Sequence, residues 1–171
     1  MVIRTATEAD AESIARVWIR SWRQAYPHAF PREVLDGLSM EERRRQTLNA
    51  LARDDMRVFV GDVDGEIGGF ASVGPSGAFE GCGELYAIYL DAAHWGSGLA
   101  QALLDRAEDE LRSRGFRTAV LLVLADNPRA RRFYERSWWV AGEPFRESIL
   151  GHDVEVVRYR KDLVTRTSTT S

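Results

Sequence analysis

Between Glu84 and Leu104, an apolar strand, a short turn bearing Gly96-Ser97-Gly98 and an amphipathic helix follow one another without a break. The strand runs to Leu90 and Asp91 to Trp95 make the turn. The helix opens at Gly98 and runs to Arg114, with Leu99, Leu103, Leu104, Ala107 and Leu111 on one face. Glycines at a helix start let backbone amides approach an anion closely. The unsatisfied N–H groups and the helix dipole favour a phosphate there. A glycine-bearing helix cap without any ligand satisfies the same pattern, so the turn alone does not decide. Two phosphate loops are excluded. No Lys-Ser/Thr pair follows the glycines, as a P-loop requires. A dinucleotide turn wants a third glycine where Gln101 stands, and a ribose-binding acid closing the next strand. That strand ends in Leu124-Ala125-Asp126, followed by Asn127-Pro128.

The flanking sequence reads as alternating strands and helices. Val2 to Arg4 is a short strand, and Thr7 with Asp10 three residues on resembles a capping box. Ile14, Val17, Trp18 and Trp22 recur at helical spacing, with Arg16, Arg20 and Arg23 between them. Pro27 and Pro31 then break the chain around Phe30. A second helix is predicted from Met40 to Arg53. Arg57–Val63 and Glu66–Val73 form a hairpin about Asp64-Gly65, and Gly74–Gly83 is a loop. Ala119 to Leu124 runs apolar without alternation, as a strand buried on both faces does. Asn127–Arg136 is a short helix and Val154–Arg160 a closing strand. The expected architecture is α/β: a mixed central sheet of six to seven strands flanked by helices on both faces. Residues 1–161 form a single domain and 162–171, rich in Thr and Ser, a frayed tail.

Composition narrows the function classes. The 171 residues suit one domain, and 23 Lys plus Arg against 26 Asp plus Glu give a net charge of −3. That balance lacks the basic stripe of a nucleic-acid binder. No apolar run approaches the roughly 18 residues of a membrane span, and the N-terminus carries no signal-peptide pattern, so a cytoplasmic protein is expected. One cysteine, Cys82, excludes a disulfide framework. His28, His94 and His152 have no metal-ligand spacing, and no metal is expected.

The stretch Asn127-Pro128-Arg129-Ala130-Arg131-Arg132-Phe133-Tyr134 completes the pattern. Together with Gly98-x-Ala100, it resembles the GCN5-related N-acetyltransferase family. There a Gln/Arg-x-x-Gly-x-Gly/Ala turn cradles the coenzyme A pyrophosphate, and an Asn, an Ala and a Phe-Tyr pair sit on the next helix. Residues 84–139 carry the resemblance, which implies a single-domain member of small-molecule type with the acyl-CoA N-acyltransferase fold. It implies acetyl-CoA as donor and a small-molecule or peptide amine as acceptor. It also implies that the strand before the turn splays from its neighbour. Main-chain groups of Ile88, Tyr89 and Leu90 would then pair with pantetheine and polarise the thioester. Trp95, Gly96, Ser97, Gly98, Leu99 and Ala100 would hold the pyrophosphate and Asn127 the pantetheine amides. Arg129 to Arg132 read as solvated helix surface, with Arg129 and Arg131 as candidates to meet the 3′-phosphate. Tyr134 would be the general acid for the thiolate. Its alternative is a packed aromatic beside Phe133, and that of Asn127 a helix cap.

Strand alternation puts Glu84, Tyr86, Ile88 and Leu90 on one face, making Glu84 a candidate general base or else an exposed strand-end acid. Trp18, Trp22, Tyr26 and Phe30 form an aromatic stripe that suits a core or an acceptor wall. Trp22, Tyr26 and Tyr86 are the candidate acceptor contacts, and His28 is a backup base. Arg43-Arg44-Arg45 reads as solvated helix surface. Two positions depart from the family pattern. Trp95 replaces the usual Gln/Arg, and Trp138 stands where a glycine with positive φ usually closes the helix. Trp138-Trp139 and the last strand offer surface for a homodimer. Two other readings are a non-catalytic coenzyme A-binding or sensing domain and a Cys82 hydrolase.

Overall fold

The structure is a computed structural model and describes residues 1–164. Its strands are β1 (Val2–Thr5), β2 (Arg57–Val63), β3 (Glu66–Pro75), β4 (Gly83–Leu90), β5 (Thr118–Leu124), β6 (Val140–Ile149) and β7 (His152–Asp162). Its helices are α1 (Ala11–Ala25), α2 (Arg32–Asp36), α3 (Met40–Leu51), α4 (Leu99–Ser113) and α5 (Pro128–Arg136). Among the described residues the strands form one seven-stranded sheet in the order β1-β2-β3-β4-β5-β7-β6. Neighbours are antiparallel except β4 and β5, which are parallel and joined through α4.

The pleat of β2 divides the core. Val58 and Val60 pack with Ile14, Trp18 and Trp22 of α1, whereas Phe59 packs with Leu99, Leu103 and Leu104 of α4. Gly61 lets Leu99 lie against the β2 backbone, where any Cβ would collide with the leucine side chain. The hairpin turn places Asp64 at φ 55 and Gly65 at φ 89, the left-handed pair that a two-residue turn needs. At the N-terminus, Asp10 accepts from the Thr7 N–H (2.8 Å) and hydroxyl (3.1 Å), and pairs with Arg4 at 2.8 Å.

Several elements differ from the sequence-based expectation. β3 continues to Pro75 and β4 begins at Gly83, so the intervening loop is shorter than Gly74–Gly83. The helix from Met40 ends at Leu51, and α2 and β6 were not predicted at all. β6 is exposed along most of its length and has no apolar alternation to read. Leu122, within the strand expected to be buried on both faces, is 39% exposed because β4 has moved away from it. Arg43 is not solvated surface: its guanidinium carbon lies 4.2 Å from the Trp18 ring centroid, and burial pushes its pKa down. Past the boundary drawn at 161, Asp162 still pairs with Thr118. The buried Leu163 donates its N–H to Arg117 O at 2.8 Å, so order extends through it. Residues 165–171 of the expected tail lie outside the described residues.

The end of α5 keeps the left-handed form that a glycine usually takes there, although the residue is Trp138. Trp138 has φ 67, its N–H donates to Glu135 O (3.1 Å), and the Trp139 N–H donates to Tyr134 O (3.0 Å). The two tryptophans do not form a joint surface, because Trp138 is 79% exposed and Trp139 only 3%. Trp139 turns inward, where its indole N–H donates to the buried Glu108 at 3.0 Å.

Candidate active site

β4 and β5 are paired through Gly83–Ala119 and Glu84–Val120, and then diverge. A cavity of about 480 Å³ occupies the gap. Ala87, Ile88, Leu121, Leu122 and Val123 line its middle. Trp95, Gly96, Gly98 and Ala100 contribute from the turn and the start of α4, and Trp22, Ala25, Tyr26, Ile149 and Val156 from the core on the α1 face of the sheet. Asn127, Arg129, Phe133 and Tyr134 of the α5 segment form a side wall.

An irregularity on the β3 side lies beside the divergence. Val73 pairs with Leu85, but the next β3 residue, Ser72, pairs with Ala87, which leaves Tyr86 as a bulge. One extra residue reverses the pleat. Leu85, Ile88 and Leu90 therefore pack on the α4 side, and Ala87 and Tyr89 on the α1 side. The expectation that Glu84, Tyr86, Ile88 and Leu90 share one face is thus corrected. Glu84 falls opposite Leu85, its carboxylate accepts from the Ser76 hydroxyl at 2.7 Å, and it does not line the cavity. The Tyr86 hydroxyl donates to Pro75 O at 2.6 Å.

The glycine turn is built from backbone. Gly96 and Gly98 have φ values of 77 and 87, and a Cβ placed on either would meet open space, so the turn leaves room for an incoming group. Ser97 braces it, donating to His94 O at 2.7 Å and accepting from the Leu99 N–H at 3.3 Å. Because α4 begins at Leu99, its first-turn N–H groups have no acceptor within the helix and face the turn. Arg129, in the first turn of α5, lays its guanidinium carbon 3.3 Å from the Trp95 ring centroid. Asn127 caps α5 by accepting from the Ala130 N–H at 3.1 Å, with Pro128 at the first helical position.

Tyr134 is buried, with Phe133, Trp139 and Tyr159 rings 5.1, 6.1 and 6.2 Å from its own. Burial pushes its phenol up; Tyr89 adds to this. Burial also raises Tyr89, and lifts Tyr26 well above the ordinary phenol value. Each of these hydroxyls therefore holds its proton at neutral pH.

The cavity brings together most of the residues singled out in the sequence: Trp22, Tyr26, Tyr86, Ile88, Tyr89, Leu90, Trp95, Gly96, Gly98, Ala100, Asn127, Arg129 and Tyr134. Leu99 is a core residue, and Ser97 supports the turn from outside the lining. The aromatic stripe is both core and wall. Trp18 and Phe30 are buried among their neighbours, while Trp22 and Tyr26 also reach the cavity. His28 Nε2 donates to Asp126 O at 2.8 Å beside the rim. Sequence reading missed Ser21, whose hydroxyl donates to Leu90 O at 2.7 Å, as well as Leu122 and Ile149. No pattern marked them. Among the described residues, no group of three or more His, Cys, Asp or Glu could hold a metal, and no helix is long and apolar enough to cross a membrane.

Residues 12–138 match the family described as Acetyltransferase (GNAT) family. The chain belongs to that family. An N-acetyltransferase of Bacillus subtilis (strain 168), YuaI, itself described as uncharacterized, is 35% identical over 131 residues, covering 75% of this chain and 74% of the relative. Among solved structures, an N-acetyltransferase from Staphylococcus aureus Mu50 is similar with a TM-score of 0.75. It is 24% identical, and the match covers 95% of this chain and 98% of that one. The protein yncA from Salmonella typhimurium, solved with its cofactor acetyl-CoA, superimposes with a TM-score of 0.75 at 21% identity, over 100% of this chain and 98% of that one.

Proposed function

We propose that this GNAT enzyme moves the acetyl group of acetyl-CoA directly to a primary amine, with both substrates held in the cavity between β4 and β5. The observation that carries the reading is the coincidence, in one cavity, of an open glycine turn at a helix start, unpaired strand edges and a proton-bearing Tyr134. The residues present fit the donor. Backbone N–H groups of Gly96, Gly98 and Ala100 suit a pyrophosphate, with Ser97 and Leu99 fixing the turn and Arg129 and Trp95 beside it. Asn127 and the edge of β4 through Ile88, Tyr89 and Leu90 suit the amides of a pantetheine arm. When bound, acetyl-CoA supplies a thioester carbonyl as electrophile.

This chain then has three tasks. A backbone N–H of Ile88 or Tyr89 stabilises negative charge developing on the carbonyl oxygen. Trp22, Tyr26 and Tyr86 confine the amine within reacting distance. Tyr134 donates its proton to the departing thiolate as the C–N bond forms and the C–S bond breaks. It regains a proton from the acylated nitrogen, so its own state is restored. Glu84 has no part in this scheme, since it is engaged by Ser76 outside the cavity.

Thiol release from acetyl-CoA in the presence of a panel of primary amines tests the reading. The expected result is amine-dependent release. Tight coenzyme A binding with no release on any amine would instead support the sensing domain.

A further inference from the structure

The composition of the cavity lining bears on which amine it can receive. Among the described residues it contains no Asp, Glu, His, Lys or Cys. Its only formally charged side chains are Arg129 and Arg136, both positive. The α1-face end of the cavity is lined by Trp22, Ala25, Tyr26, Ile149 and Val156, none of them charged.

An ammonium entering that end would shed water and meet no counter-ion, a strongly unfavourable transfer. Aromatic faces do not replace the missing anion. Trp22 is covered by Trp18 at 4.7 Å and Phe30 at 5.3 Å, and the Tyr26 ring abuts it at 71°. The acids adjacent in sequence to lining residues do not themselves line it: Glu84 accepts from Ser76, Asp91 pairs with Arg20 at 2.9 Å, Glu135 accepts from the Tyr159 hydroxyl at 2.7 Å, and Asp126 and Glu155 are exposed. The titratable groups that do face the cavity are Tyr26 from α1, Tyr86 and Tyr89 from β4, and Tyr134, Arg129 and Arg136 from α5. None accepts a proton at neutral pH, because arginines and phenols both hold theirs.

We propose that the acceptor is a weakly basic primary amine of the α-amino type on an apolar body, and that it enters the cavity already uncharged. The proposal rests on the acetyl-transfer reading and narrows its substrate. Lysine side chains and polyamines are poor acceptors on this account, because their neutral fraction is small and the cavity has nothing to deprotonate them. At pH 7, an α-amino group of pKa about 8 is neutral about one time in ten, and a lysine amine of pKa about 10.4 about one time in 2500. The greater nucleophilicity of the lysine amine offsets part of that gap and leaves a preference on the order of 20-fold.

Three acceptors test this with the full chain and acetyl-CoA, by thiol release at pH 7. They are a lysine-free peptide amide beginning with Phe, an N-acetylated peptide with one free lysine, and spermidine. The Phe peptide should exceed the other two in kcat/KM by about 20-fold or more. Its advantage should shrink as the pH is raised to 9, and its own kcat/KM should climb with pH and level off near the pKa of its amine. Equal or faster turnover of the lysine peptide or spermidine at pH 7 overturns the proposal. So does a plateau more than a unit below the acceptor's pKa, since a protein group would then be taking the proton. Turnover of none of the three by protein that binds acetyl-CoA in calorimetry also overturns it, while leaving donor binding intact. Failure to bind acetyl-CoA at all strikes instead at the acetyl-transfer reading beneath it.

Discussion

The Arg129 guanidinium stacks on the Trp95 ring with 3.3 Å between its central carbon and the ring centroid, tying the first turn of α5 to the glycine turn. The family pattern expects a Gln or Arg at position 95, and here the chain carries an aromatic platform with a cation delivered onto it from another helix. Burial pushes the Arg129 pKa down, yet an arginine remains charged at any working pH. The pair therefore keeps a positive charge beside the glycine turn.

Removing that charge should weaken the donor. Arg129→Ala is expected to raise the KM for acetyl-CoA by about tenfold and to leave kcat within a few-fold. Trp95→Ala should act in the same direction but less, and the double variant should be no worse than Arg129→Ala alone. Steady-state kinetics of the three variants check this; simple additivity would mean the two side chains act separately.

Tyr134→Phe should lower kcat by about 10²-fold or more while coenzyme A affinity changes little. Because burial and Tyr89 hold the phenol up at a pKa beyond the alkaline range of enzyme assays, Tyr134 stays protonated throughout, and its titration gives no fall in kcat up to pH 10. A kcat profile from pH 6 to 10 with a coenzyme A titration distinguishes this role from simple packing. Unchanged turnover in Tyr134→Phe would remove the residue from the mechanism.

Asp10 is a stability prediction with a definite pH window. Arg4, against burial, holds its carboxyl at about 2, below the ordinary 3.8. A depressed folded-state value means that the contribution is complete above about pH 4 and is lost as the pH falls through about 2. Asp10→Asn should therefore cost about 2 kcal/mol at pH 7. Denaturant titrations at pH 7, 4 and 2 should show the gap from the parent protein closing at the acid end. A gap that persists undiminished at pH 2 would contradict the assignment.

Trp138 holds φ 67 while 79% of its surface is exposed, so it bears left-handed strain with little burial in return. Trp138→Gly should stabilise the fold by about 1 kcal/mol, read as a raised denaturation midpoint with an unchanged slope.

What the sequence disclosed, and what it hid, follows from the range of the interactions involved. The glycine turn, the Asn127-Pro128 cap and the Asp64-Gly65 hairpin are local devices, each fixed by a few adjacent residues, and all three are visible in the letters. The bulge at Tyr86 is not local: it is the offset of one strand against another, and it carried Glu84 away from the cavity. β6 gave no alternation because most of it is exposed. Glu108 looks like one more polar position on an amphipathic helix. It is buried by partners remote in sequence, accepting from Lys161 at 2.7 Å and from the Trp139 indole.

The parting of β4 from β5 has a further consequence. The sheet is close to being two ribbons, one of four strands and one of three, laced together over two residue pairs at one end. Beyond those pairs the facing edges of β4 and β5 have no strand partner among the described residues, and a main-chain edge is not something a side-chain substitution can delete. Drift in the lining residues would reshape the cavity but leave the two open edges in place. Only a change in the spacing of the strands themselves would close them.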